Sequence, residues 1–244
     1  MNNNLQTLRK LKLTGMANHL EACLAMPQHQ RPEAEVLLNQ LLEAEDLYRN
    51  HRRTSLAIKN ARFRYQASMQ QVICSKERNL SKQQLNYYLD GSFTDRAENI
   101  IITGATGCGK SYLATAIGHQ ACTLGKKVAY HSLPKLLQKL KSDKLDGSFR
   151  KELEKLENKH LLILDDWGIT PLDMAARLAL LQIIEDRQGR FSTIITAQLP
   201  VSSWHGYIND STIADAILDR IIHQAHRIEL TGESQRKIMK NQTH

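Results

Sequence analysis

Residues 104–111 combine the residue types that a chain needs to bind a polyphosphate. They are Gly104, Ala105, Thr106, Gly107, Cys108, Gly109, Lys110 and Ser111. The spacing fits the phosphate-binding loop G-x-x-x-x-G-K-[ST], in which glycines let successive backbone N–H groups point at one anion. Lys110 adds a point charge for the β- and γ-phosphates, and the Ser111 hydroxyl is a hard oxygen ligand for Mg²⁺. The loop therefore predicts a site for a nucleoside triphosphate, which we take to be ATP with Mg²⁺.

Two carboxylates follow an apolar run further along the chain. Residues 161–164 are Leu-Leu-Ile-Leu and precede Asp165 and Asp166. In P-loop enzymes an acid in this Walker B position holds Mg²⁺ together with the loop hydroxyl, so we assign the metal to Ser111 and Asp165. Asp166 would orient the attacking water or accept its proton. Because Asp166 is one methylene shorter than a glutamate, we expect slow hydrolysis until a partner or DNA completes the geometry.

Alternating strand and helix patterns must position these two motifs. Strands are predicted at 100–103, 127–132, 161–165, 193–196 and 227–230. Helices are predicted at 110–123, 134–141, 149–157, 172–186 and 212–224. Repeated βα units indicate a parallel sheet covered by helices on both faces, with ligands at the carboxyl ends of the strands. The strand at 193–196 leads to Gln198, whose amide would lie near the γ-phosphate if this strand is beside the P-loop strand.

The first part of the chain has helical patterns only. We predict helices over 5–25 and 33–64, from the spacing of their leucines. The resulting division is a small helical domain for DNA binding or assembly at 1–64 and a linker with short helices at 65–94. A nucleotide-binding α/β domain at 95–244, with a reduced C-terminal lid, completes the chain.

A basic stretch occupies the end of the second predicted helix. Its six cationic residues, with no acid among them, are Arg49, Arg52, Arg53, Lys59, Arg62 and Arg64. Five of them fall within about 140° of a helical wheel, and Arg62 lies outside this arc. The stretch is consistent with contact to a DNA backbone and equally with a solvated helix face. A formal net charge of +8 agrees with an acidic partner, although many soluble proteins are mildly basic.

Composition argues against several classes of protein. The four cysteines are scattered, with no C-x-x-C pair, which fits reduced thiols better than disulfides or a zinc site. The chain starts without a signal-peptide pattern, and no apolar run approaches the length that spans a membrane. We therefore expect a cytoplasmic protein without a membrane partner.

Several segments together resemble one family. They are 8–16, 161–168 with Trp-Gly after the two acids, 198–205 with the order Gln-Leu-Pro-Val-Ser-Ser-Trp-His, 213–220, and 232–234. In this order they resemble IstB-type transposition helper proteins, which are AAA+ ATPases related to DnaC-type helicase loaders. The resemblance covers nearly the whole chain and is strongest over 99–237.

The resemblance implies more than the residues alone. IstB-type proteins assemble with ATP on target DNA, with little sequence specificity, and deliver that DNA to a partner transposase. By position, Gln198 would be the sensor 1 residue, where many relatives have Asn, and Arg236 the sensor 2 residue. Arg220, which interrupts an apolar helical stretch, would be an arginine finger for a neighbouring subunit, so hydrolysis would need a homo-oligomer.

Three other functions compete with this interpretation. A replicative helicase loader would use the same mechanism on a different client. A small-molecule kinase would share the P-loop, but it should carry an acceptor pocket and an arginine-rich lid, and it would leave the basic N-terminal region unexplained. A scaffold with an inactive ATP site is opposed by Lys110, Ser111 and Asp165.

Overall fold

We analysed a computed structural model of the chain, which describes residues 3–223 and 225–235. Contacts divide the chain into two compact units, one up to Leu56 and the other from Ala57 onward. The domain boundaries that the sequence predicts, at 64/65 and 94/95, stay a prediction. None of the described helices is both long and apolar enough to cross a membrane.

The first unit is helical. It contains α1 (Asn3–Lys10), α2 (Thr14–Ala25), a 3-10 turn at Gln28–Gln30 and the larger part of α3 (Ala34–Ala61). The prediction of one helix over 5–25 is wrong, because the backbone turns left-handed at Lys12 (φ 60°). The new helix then begins beside Glu45 of α3, whose carboxylate accepts hydrogen bonds from the N–H groups of Gly15 (2.8 Å) and Met16 (3.2 Å). An anion at this end satisfies N–H groups that the helix cannot.

The segment before the sheet is short-helical but well packed. It contains a 3-10 turn at Met69–Gln71, α4 (Lys82–Asn86) and α5 (Ser92–Asp95). Its apolar side chains Met69, Leu80, Leu85, Tyr88 and Phe93 are buried in the same core as the first strand. This segment therefore belongs to the core of the second unit.

A parallel sheet forms the centre of the second unit. The strands are β1 (Asn99–Gly104), β2 (Val128–Ser132), β3 (Leu161–Trp167), β4 (Ser192–Ala197) and β5 (Ala225–Leu230). Within the described residues the order is β2-β3-β4-β1-β5, and all neighbouring pairs are parallel. The predicted α/β class is confirmed. The order separates the P-loop strand β1 from the Walker B strand β3 by one strand, β4.

Helices cover both faces of the sheet. They are α6 (Lys110–Thr123), α7 (Leu133–Asp146), α8 (Phe149–Glu157), α9 (Met174–Arg187), α10 (Trp204–Ile208) and α11 (Ser211–Ile222). One core contains Leu113 and Ile117 of α6, and the other contains Leu136 of α7 and Ile183 of α9. Buried side chains on both faces explain the uninterrupted apolar runs of the inner strands, at 100–102 in β1 and at 161–164 in β3. The sheet thus holds its carboxyl edge rigidly, where the two predicted motifs end.

Candidate nucleotide site

The glycine-rich loop has a backbone that only glycine adopts easily. β1 ends at Gly104 and α6 begins at Lys110, and the φ angles of Gly104, Gly107 and Gly109 are 143°, 87° and 95°. A Cβ on Gly104 would lie 2.2 Å from the carbonyl oxygen of Leu230. Larger residues at these positions would be strained and, at Gly104, would collide with β5. The loop therefore leads directly into the N-terminus of α6, where N–H groups and the helix dipole favour an anion.

The Lys110 side chain folds back into the loop. Its ammonium donates hydrogen bonds to the carbonyl oxygens of Gly104 and Ala105, both at 2.8 Å. The residue is largely buried. The ammonium charge of Lys110 therefore lies against the loop backbone, where a phosphate bound in the loop would contact it.

Asp165 is the most heavily hydrogen-bonded carboxylate of the site. It is fully buried at the end of β3, and the Ser111 hydroxyl lies 2.8 Å from its Oδ1. The hydroxyls of Thr196 and Tyr130 also donate to this carboxylate. Burial, reinforced by the bond to Asp165, raises the pKa of Tyr130, so its hydroxyl stays protonated as a donor. A hydroxyl and a carboxylate oxygen at this distance form the hard donor set that suits Mg²⁺ next to phosphates.

Asp166 turns away from the strand. Its φ is 67°, and the pairing of β3 with β4 is irregular between Leu164 and Trp167. The Ser132 hydroxyl, at the end of β2, lies 3.2 Å from Asp166 Oδ2 and donates to it. The left-handed backbone therefore gives the second acid a different direction and a different partner from Asp165.

Gln198 reaches the loop from the neighbouring strand. β4 does lie beside β1, with Thr103 opposite Ala197. The Thr106 hydroxyl donates to Gln198 Oε1 at 2.8 Å. The amide is thus next to the glycine-rich loop.

Arg64 lies at the two Walker B acids. Its guanidinium Nη1 is 3.6 Å from Asp166 Oδ2 and 3.8 Å from Asp165 Oδ2. Helix α3 ends at Ala61, and Arg62 has a left-handed φ of 57°, so Arg64 is not on the helical face that the wheel predicted. The sequence pattern placed Arg64 with its basic neighbours, because neither glycine nor proline marks the turn at Arg62.

Two cavities meet at the loop and share Gly107, Lys110 and Ser111. The smaller, about 110 Å³, is also lined by Arg64, Thr106, Asp165, Asp166, Thr196 and Gln198. The larger, about 460 Å³, has Tyr65, Gln66, Gln71, Ile73, Arg78 and Tyr112 in its wall. The small polar cavity has the lining that phosphates and a metal require. The larger one, with aromatic and amide side chains, suits a nucleoside.

Arg78 braces the loop from the segment before the sheet. It is buried, and its guanidinium donates to the carbonyl oxygens of Cys108 (2.8 Å) and Ile73. Its position, like those of Tyr130, Ser132 and Thr196, was not predicted. Single polar residues of this kind can be identified only once the strand order is known.

Arg220 lies elsewhere on the second unit. Its Nη2 is 3.1 Å from Glu185 Oε1, and its Nη1 donates to the Ala216 carbonyl oxygen at 2.7 Å. It is not among the residues that line either cavity. Arg236 lies outside the described residues.

The remaining basic residues differ in their partners. Arg49 donates to Glu45 at 2.7 Å within the first unit. Arg52, Arg53, Lys59 and Arg62 are exposed. Their side chains are therefore accessible in each unit by itself.

A glycine-rich loop between a central parallel strand and a helix, with a hydroxyl paired to an acid two strands away, defines a P-loop nucleotide-binding protein. Solved structures with the same fold include the DnaC helicase loader, with 19% identity, a TM-score of 0.55, and coverage of 68% of this chain and 97% of that one. Another is the replication initiator DnaA bound to AMPPCP and single-stranded DNA, with 18% identity, a TM-score of 0.58, and coverage of 74% and 55%. These likenesses establish the AAA+ fold.

Sequence comparison identifies the family. Residues 6–243 match the family described as IstB-like ATP binding protein. An insertion sequence ATP-binding protein of Sinorhizobium fredii is 42% identical, covering 96% of this chain and 95% of that protein. The ATP-binding protein of insertion sequence IS21 from Pseudomonas aeruginosa is 26% identical, covering 94% and 86%. The chain belongs to the IstB-like ATP-binding family and is an AAA+ ATPase, as the sequence predicted.

Proposed function

We propose that this ATPase is a DNA-binding helper for transposition, which oligomerises with ATP on target DNA and delivers that DNA to a partner transposase. The proposal rests on one observation: the phosphate site has its loop, lysine, hydroxyl and acid in place, with Ser111 bonded to Asp165. The chain also belongs to a family whose members include insertion sequence ATP-binding proteins. Exposed basic residues outside that site supply a second, separate attraction for phosphates.

The nucleotide roles follow from the contacts at the loop. The N–H groups of the loop and Lys110 bind the phosphates, with the nucleoside in the larger cavity. Ser111 and Asp165 would hold Mg²⁺, which would neutralise phosphate charge when bound. Asp166 orients the attacking water, since its backbone turn separates it from the metal ligand. Gln198, held by Thr106, contacts the γ-phosphate.

The active site is completed by a second copy of the chain. Arg220 acts in trans as the arginine finger, leaving Glu185 for a neighbour's γ-phosphate. This role is supported by the absence of Arg220 from the lining of both cis cavities. Arg236 remains our prediction for the sensor 2 residue.

Double-stranded DNA is bound through its phosphates. The contacting residues are Arg49, Arg52, Arg53, Lys59 and Arg62. Arg64, the sixth residue of the predicted set, lies at the Walker B acids instead. Lysine and arginine side chains replace the counterions condensed on DNA, so the affinity for DNA should fall steeply as the salt concentration rises. Contacts with phosphates carry little information about base sequence, so the sequence preference should be slight.

The first experiment is the ATPase rate with and without double-stranded DNA, with particle mass followed by light scattering in the same samples. We expect ATP and DNA together to raise both rate and mass, because the finger must come from a neighbour. A protein that stays monomeric, with a rate indifferent to DNA, would refute the assembly and DNA parts of the proposal. Adding a partner transposase then tests delivery: transfer of labelled DNA should require ATP.

A further inference from the structure

Arg64 is the one basic residue of the 49–64 stretch that reaches the smaller cavity. Its guanidinium forms part of the cavity wall, together with Thr106, Lys110 and Gln198. We infer that Arg64 is a cis ligand of the γ-phosphate, so that it distinguishes ATP from ADP. The inference rests on the phosphate site proposed above.

The present contacts of Arg64 are loose. Both acid oxygens are 3.6 Å or more from Nη1, and the Arg64 side chain keeps 47% of its surface exposed. Its ring contact with Tyr65, 5.5 Å from guanidinium carbon to ring centroid, is at the outer part of the usual range. An ion pair this open contributes little to stability, so a purely structural role gives no reason for its placement.

The guanidinium of Arg64 is a permanent cation, because arginine keeps its proton throughout the pH range in which proteins are folded. The carboxylate oxygen Oδ2 of Asp166, 3.6 Å from Nη1, lies beside this charge. A guanidinium group is planar and permanently charged, and two of its N–H groups can donate parallel hydrogen bonds to one phosphoryl group. Asp165 accepts hydrogen bonds from three hydroxyl groups and keeps these partners when the guanidinium moves away, so the guanidinium can leave it at small cost.

The position of Arg64 favours contact with the γ-phosphate of ATP over contact with the other two phosphates. It lines the smaller cavity together with the two acids, whereas the larger cavity, which we propose for the nucleoside, shares only Gly107, Lys110 and Ser111 with it. A diphosphate held by the loop would leave the acid side without an anion for Arg64. A triphosphate would place one there, next to the water that Asp166 orients.

The test compares equilibrium affinities for a non-hydrolysable ATP analogue and for ADP, each with Mg²⁺. Arg64→Ala should weaken binding of the triphosphate about 10- to 100-fold, the range of a charged hydrogen bond, and change ADP binding less than about 2-fold. Arg64→Lys, which keeps the charge but not the fork, should be intermediate. Lys82→Ala, which removes an exposed cation on α4 that has no role in either proposed site, is the matched control and should leave both affinities unchanged.

Other results would overturn the inference. Equal weakening of triphosphate and diphosphate would make Arg64 a structural support of the loop. Tighter triphosphate binding would make it a competitor of the metal. Unchanged nucleotide binding with weaker DNA binding, as for Lys59→Ala, would make it a DNA contact. Lys110→Ala separates the two proposals, since retained nucleotide binding in that variant would refute the phosphate site itself.

Discussion

We propose that the glycine-rich loop and the basic stretch at 49–64 both bind phosphates, but by different physical means. The loop uses backbone N–H groups that the strand, the turn and α6 hold in place, plus one largely buried lysine. The basic stretch uses long side chains that are mostly exposed to solvent. The fold fixes the positions of the donor groups in the loop, whereas the basic stretch depends on the positive charge of flexible side chains.

The difference determines what each region can recognise. Fixed N–H groups lose little entropy on binding and accept an anion at one place only, which gives specificity for a nucleotide. Exposed lysine and arginine each lose up to about 2 kcal/mol of side-chain entropy when ordered, and their attraction is screened by salt. In the function that we propose, the stretch therefore follows any DNA backbone, whereas the loop selects a single small ligand.

The variant with the largest expected effect tests whether one chain supplies every catalytic residue of the nucleotide site. Arg220→Ala should lower turnover about 10³-fold or more, the range of an arginine finger, while ATP binding stays within about 2-fold. Arg190→Ala, which removes an exposed arginine that pairs with Glu157, is the control and should keep full activity. Steady-state ATPase assays with DNA would measure both.

Mixing two inactive variants shows whether Arg220 acts in trans. Asp166→Asn should bind ATP but not hydrolyse it, and it keeps Arg220. A mixture of Asp166→Asn and Arg220→Ala chains should recover part of the activity, because some sites then combine an intact acid with a neighbour's finger. Absence of recovery, with both variants co-assembled by light scattering, would contradict a trans finger.

The next effect separates the loop from the basic stretch. Lys110→Ala should weaken nucleotide binding and lower turnover by about 10²–10³-fold, as when one preorganised donor of an anion site is lost. Binding of DNA without nucleotide should stay unchanged, since the stretch does not depend on the loop. Fluorescence anisotropy with labelled ATP and labelled DNA measures both affinities, and loss of both together would break the comparison.

The sequence was sufficient wherever a pattern is local. The P-loop, its strand and its helix follow from the glycine spacing and the flanking periodicity, and α6 begins and ends where predicted. The apolar run ending at Asp165 likewise identified β3. These features could be predicted because each motif carries its own geometry in contiguous residues.

The missed residues depend on contacts between distant segments. Tyr130 and Thr196 converge on Asp165 only because β2 and β4 flank β3. The left-handed residues Lys12 and Arg62 interrupt helical patterns without glycine or proline to mark them. Arg64 was assigned by its charged neighbours for the same reason, since a wheel assumes that the helix continues.

The smallest expected effects belong to single residues of the basic stretch. Arg53→Ala and Lys59→Ala should each weaken DNA binding only a few-fold, because every phosphate contact is one of several and is partly screened. Each should also reduce the slope of log affinity against log salt by about 0.9, the value for one neutralised phosphate. Lys82→Ala, an exposed lysine on α4, is the control for a general change in net charge. An unchanged slope in both variants would mean that the stretch is a solvated face, and the comparison would then rest on one phosphate site instead of two.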